Sequence, residues 1–124
     1  MLKCISPIDG SVYAERPTVD PEGAMQAVVK AQAAQRDWAA RPLPERVALV
    51  RAGVARLGAM NDVVVPELAR MMGRPIRYGG EFGGVEERAS YMADIAEEAL
   101  APLVAEDSER FERRILREPH GVIL

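Results

Sequence analysis

Apolar positions alternate only briefly at the start of the chain and recur every three or four residues after position 20, which predicts a β start, a helical middle and a β finish. Lys3 to Ile5 reads as a strand. Pro7-Ile8-Asp9-Gly10 supplies proline and Asp-Gly turn chemistry, and Ser11 to Glu15 returns as the second strand of a hairpin. At Asp20-Pro21-Glu22 the signals for a helix start coincide: a capping carboxylate, a proline suited to the first helical position, and an acid at the positive end of the dipole. Ala24, Val28, Ala31, Ala34 and Trp38 give that helix a thin alanine-rich face anchored by Trp38.

Pro42 and Pro44 end this helix and open a second, with Val47, Val50, Val54 and Leu57 on one face and Glu45, Arg46, Arg51 and Arg56 on the other. Gly53 in its interior costs about 1 kcal/mol relative to alanine. Asn61-Asp62 opens a third helix running to about Met72, where Gly73 stops it and Pro75 forbids continuation. Pro66 fits only the first turn of such a helix. A fourth helix is marked by Phe82, Val85, Ala89, Met92, Ala96 and Leu100, and Pro102 closes it. Residues 109 to 118 place Phe111, Arg113, Ile115 and Arg117 on one face and Leu116 on the other, the mixed pattern of an exposed or partner-facing strand. Pro119-His120-Gly121 then turns into the apolar Val122-Ile123-Leu124, expected to start a strand buried on both faces of a parallel sheet, with further chain to follow it. The expected class is an α+β fragment: a hairpin, about four helices and a C-terminal strand.

Composition narrows the function. The 124 residues, 48% hydrophobic and 28% charged, describe one globular segment, and the net charge of -3 gives no basic footprint for nucleic acid. No apolar run approaches the roughly 20 residues of a membrane helix, and Pro7 and Asp9 interrupt any signal-peptide core. One cysteine forms no internal disulfide, in keeping with a cytoplasmic setting.

Few residues invite a chemical role. Cys4 beside Ile5 reads as a small strand hydrophobe rather than a reactive thiol, and His120, without a second ligand-type neighbour, as a turn residue. Glu86-Glu87 and Glu97-Glu98 are adjacent on helices, where side chains diverge, and so belong to solvated faces. Gly79-Gly80 and Gly83-Gly84 lack both a preceding strand and a P-loop Lys-Ser/Thr, so phosphate cradling is not indicated. Trp38 and Tyr91 read as core or interface anchors.

Several short motifs, in order, carry a resemblance across nearly the whole chain. Ile5-Ser6-Pro7-Ile8-Asp9-Gly10 is similar to an Asn-Pro-X-Thr-Gly opening turn, and Trp38-Ala39-Ala40 with Pro44-Glu45-Arg46 to a Trp, then Glu-Arg, helix junction. Gly73-Arg74-Pro75 resembles Gly-Lys-Pro, Tyr91-Met92-Ala93 an aromatic-aromatic-Ala helix, and Arg117-Glu118-Pro119-His120-Gly121-Val122 an Arg-Glu-Pro-Leu-Gly-Val stretch. Together they resemble the amino-terminal segment of the NAD(P)-dependent aldehyde dehydrogenase superfamily. Met71, Arg74 and His120 depart from that pattern, where Glu, Lys and an apolar residue are usual.

The resemblance implies an α/β enzyme whose incomplete Rossmann-type cofactor domain is begun here, with an oligomerisation strand at about 109–118 and the first cofactor-domain strand starting at 121–124. It implies a homo-oligomeric enzyme that oxidises an aldehyde to an acid with NAD or NADP through cysteine attack, hydride transfer and thioester hydrolysis. The family's catalytic cysteine, glutamate and asparagine lie in segments beyond these residues, so no catalytic or cofactor-binding residue is assigned here. The chain alone is expected to bind no cofactor and to be inactive, its partners being the remaining dehydrogenase chain or subunits. Some family members hold a structural monovalent cation between backbone oxygens of the opening strand and a carboxylate before the fourth helix. Cys4, Ile5 and Glu81 align with those positions, against the alternative that Glu81 is an ordinary exposed carboxylate. The rival functions are an independent helical interaction module and a regulatory remnant that mixes with intact subunits.

Overall fold

The structure, a computed structural model, describes residues 1–123. Two antiparallel hairpins flank a set of helices. Strands β1 (Leu2–Ile5) and β2 (Val12–Arg16) pair with Leu2 opposite Arg16 and Cys4 opposite Ala14, and the register shifts between Cys4 and Ile5. Lys3 and Glu15 face each other across the ladder and form an ion pair of 3.1 Å. Asp9 Oδ1 closes the turn by accepting from the Ser11 N–H at 3.0 Å and the Ser11 hydroxyl at 2.7 Å, while Gly10 takes φ 74°.

Helix α1 (Pro21–Ala40) begins where the capping signals place it, with Asp20 Oδ1 accepting from the Gly23 N–H at 2.7 Å. Helix α2 (Leu43–Gly58) follows Pro42 and carries Pro44 in its first turn, where the missing N–H has no intrahelical partner to lose. Helix α3 (Asn61–Met72) ends at Gly73, whose φ of 75° and N–H bond to the Ala69 carbonyl make a left-handed cap. Pro66 is a correction to the sequence expectation. It lies within α3 and past the first turn, so the Asp62 carbonyl loses its donor four residues on.

A 3-10 turn at Ile76–Tyr78, absent from the sequence reading, leads towards α4 (Gly83–Asp94). The expected fourth helix is two helices. Ile95, at φ -87° and ψ -3°, separates α4 from the five-residue α5 (Ala96–Leu100). Helices α2 and α4 pack together and run antiparallel: Leu43 and Val47 lie by Ala93 and Glu97, while Val54 and Ala55 lie by Glu86 and Ala89. Arg51 bridges the pair to Asp94 at 2.6 Å.

The C-terminal part also differs from expectation. Strand β4 is Glu112–Ile115, shorter than the expected 109–118, and it pairs with β3 (Leu103–Asp107), which the sequence reading did not place. Ser108 makes the turn. Its N–H donates to the Phe111 carbonyl at 2.9 Å and its hydroxyl accepts from the Phe111 N–H at 3.2 Å. Glu106 pairs with Arg113 across the ladder at 2.9 Å, at an irregular register between Val104 and Glu106. Gly121 to Ile123 belong to no strand, and Leu124 lies outside the described residues.

Burial is sparse. Among the described residues only Ala69, at 8% exposure, and Ser6, at 4%, are buried. The chain of 13.6 kDa exposes 10311 Å², whereas a compact monomer of that mass exposes roughly 6,600 Å². The faces expected to be apolar are real but half covered: Val47 and Val54 turn inward, while Val50, Leu57, Val85, Met92 and Leu100 remain exposed. Trp38 and Tyr91 are exposed as well, so neither anchors a core within these residues.

Candidate functional site

Two of the motifs that are far apart in sequence meet in space. The opening turn reaches the end of α3, where a Cβ built on Gly73 would stand 3.2 Å from Pro7 Cγ. The positive φ favours glycine there, and the approach to Pro7 leaves little room for a side chain. The Cys4 thiol donates to the Met71 carbonyl at 3.7 Å, and the Arg70 guanidinium stands 6.0 Å over the Tyr13 ring. The hairpin is therefore clasped to the last turn of α3 by backbone approach, a weak thiol bond and a cation over an aromatic face. An open groove of about 740 Å³ runs beside the clasp, lined by Cys4, Tyr13, Glu15, Glu67 and Met71 among others.

Just past Gly73 the chain carries an ion pair. Arg74 Nη1 donates to Glu81 Oε2 at 2.7 Å, and the Glu81 side chain is only 14% exposed. These two residues close the loop that contains the 3-10 turn, and Glu81 directly precedes Phe82, the residue before the first turn of α4. Of the three residues aligned with a cation site, Cys4 and Ile5 lie on β1 and Glu81 lies at this junction, so the carboxylate already has a cationic partner from its own chain. Sequence reasoning saw Arg74 only as a departure from lysine. The signal for its partner was available: opposite charges at the two ends of a loop closed off by Gly73 and Gly80.

The chemistry available is limited. Covalent aldehyde oxidation needs an activated thiolate, oxyanion donors and a base for water. Cys4 donates its thiol proton to a carbonyl and sits in a hairpin strand, a structural setting. Among the described residues there is no group of three or more histidine, cysteine, aspartate or glutamate side chains able to hold a metal ion. The glycine-rich stretch follows a 3-10 turn rather than a strand, and α4 starts without a side-chain cap. That geometry does not fit the strand, loop and helix cradle of a dinucleotide pyrophosphate, so no cofactor step is assigned to these residues.

At the far end of the chain Arg117 secures the approach to the final residues. Its Nη1 donates to the Ala99 carbonyl at 2.6 Å and to the Ala101 carbonyl at 3.1 Å, capping the end of α5 with positive charge. His120, Gly121 and Val122 then lie along α1 beside Val28, Gln32, Gln35 and Arg36. His120 lies in the irregular stretch after β4, in no assigned turn, helix or strand, rather than in the expected turn.

The motif pairs that the structure unites also agree with a wider comparison: the sequence pattern of the aldehyde dehydrogenase family matches residues 1–124. The chain belongs to the aldehyde dehydrogenase family. No individual curated protein matches it. Family membership makes the α+β framework part of an oxidoreductase lineage. No helix among the described residues is long and apolar enough to cross a membrane.

Proposed function

We propose that residues 1–124 are the amino-terminal scaffold of an NAD(P)-dependent aldehyde dehydrogenase, structural and assembly-related in role and inactive alone. The observation that carries this reading is the exposed area, more than half as large again as the roughly 6,600 Å² of a compact monomer, on a chain matched throughout by the family. Exposed Val50, Leu57, Val85 and Met92 need a cover that these residues do not supply. In the complete enzyme the stretch at 121–124 would enter the sheet of a Rossmann-type cofactor domain, and NAD or NADP would contact mainly residues elsewhere. The β3–β4 hairpin, with its free edge, would join a neighbouring subunit of a cytoplasmic homo-oligomer.

The test compares the purified chain alone with the chain supplied together with the remaining dehydrogenase polypeptide. Alone, it should self-associate in sedimentation, exchange its helical amides quickly and give no aldehyde-dependent reduction of NAD or NADP. With its companion, amide protection should rise. A compact monomer with slow-exchanging amides and no affinity for the companion would instead favour the independent interaction module.

A further inference from the structure

Among the ion pairs of the described residues, Glu81 is the least exposed partner, at 14% against 36% or more for the other carboxylates. Its position is also the most constrained. On one side Arg74 follows the left-handed Gly73, itself wedged against Pro7; on the other, Gly80 at φ 105° delivers Glu81 to the start of α4. Across this loop the guanidinium reaches Glu81 Oε2 at 2.7 Å. A small cation placed at the same carboxylate would have to displace a guanidinium or lie beside a like charge, and neither is favourable at a half-buried site.

We propose that Arg74 is the built-in counter-ion of Glu81, latching the α3 to α4 loop and making this junction independent of any bound potassium or sodium. The proposal rests on the dehydrogenase reading above. The resemblance alone suggested a cation at this junction, whereas the ion pair supplies the positive charge from the chain itself. The hydrogen bond and the charge both come from the polypeptide, so the latch forms on folding and is not lost on dilution or dialysis.

The experiment uses the chain together with the remaining dehydrogenase polypeptide, with thermal unfolding followed in potassium, sodium or tetramethylammonium chloride at one ionic strength. The wild type should unfold at the same temperature in all three salts. Arg74→Ala should unfold earlier in tetramethylammonium and recover by roughly 2–4 °C in saturating potassium or sodium. Arg74→Lys should remain indifferent, and adding Glu81→Gln to Arg74→Ala should abolish the recovery. If Arg74→Ala does not fold, Arg74→Gln removes the charge while keeping a donor and is read in the same way. A wild type stabilised by potassium, with that response lost in Glu81→Gln, would overturn the proposal, as would an Arg74 variant indifferent to the small cations. Aldehyde-dependent cofactor reduction on the same preparations separates the two readings. Activity without the expected salt pattern sinks the latch alone, and the pattern without activity sinks the enzyme assignment alone.

Discussion

Replacing Gly73 with alanine tests the clasp between the opening turn and α3 most directly. At φ 75° an L-residue pays about 1–2 kcal/mol for the left-handed conformation. The new Cβ would stand 3.2 Å from Pro7 Cγ, tight enough that the proline ring must give way, adding about 1 kcal/mol. Reduced freedom of the unfolded chain returns roughly 0.4–1 kcal/mol. The net expectation is a loss of about 1–2.5 kcal/mol, read as a lower urea midpoint at unchanged slope in the chain joined to the remaining dehydrogenase polypeptide. Gly73→Asn should cost less, because asparagine tolerates the left-handed region, and the steric part should shrink when Pro7→Ala is added. The double-mutant cycle would then show coupling between the two sites. A Gly73→Ala protein as stable as the wild type would refute both the strained cap and the close approach. Full cost without coupling to Pro7 would refute the approach alone.

Three further outcomes follow from individual contacts. Asp20→Ala should cost about 1 kcal/mol and speed exchange of the Gly23 amide, whereas Asp20→Asn should nearly preserve both; equal exchange in all three would contradict the cap. The Ser11 N–H, then the Ser11 hydroxyl, hold the Asp9 carboxyl below its ordinary 3.8. Its contribution to the turn is therefore complete above pH 3.8 and is lost as pH falls through the lowered value. Carboxyl titration by NMR should show Ser11→Ala moving Asp9 part of the way back up, and an unmoved titration would count against the hydroxyl contact. Arg51→Ala removes a 2.6 Å bridge between two exposed side chains, so its cost should stay below about 1 kcal/mol and diminish with added salt. A large, salt-insensitive loss would mean that Arg51 acts through packing.

Local chemistry made much of this chain legible before its structure. Asp20-Pro21, Pro42 with Pro44, and Gly73 act through their own backbone and the nearest amides, so the boundaries of α1, α2 and α3 could be read from them. The hairpin turn at Pro7 to Gly10 was equally plain, since Asp9 and Ser11 satisfy each other within a few residues. The cation-aligned residues were readable as positions, while the partner actually held by Glu81 was not.

What escaped the sequence depends on contacts between distant segments. Strand β3 was missed because its turn uses Ser108 in place of glycine or proline, and the strand exists through pairing with β4. The break at Ile95 carries no proline or glycine to announce it. The sequence by itself carried the motif resemblance to the family, and it determined the helical middle and the ends of the main helices because caps and periodicity act over one or two turns. Only the tertiary structure decided that Pro7 sits against Gly73, that Arg74 neutralises Glu81 and that Arg117 caps α5. Those contacts depend on where separate elements come to lie, and spacing along a chain does not encode that distance.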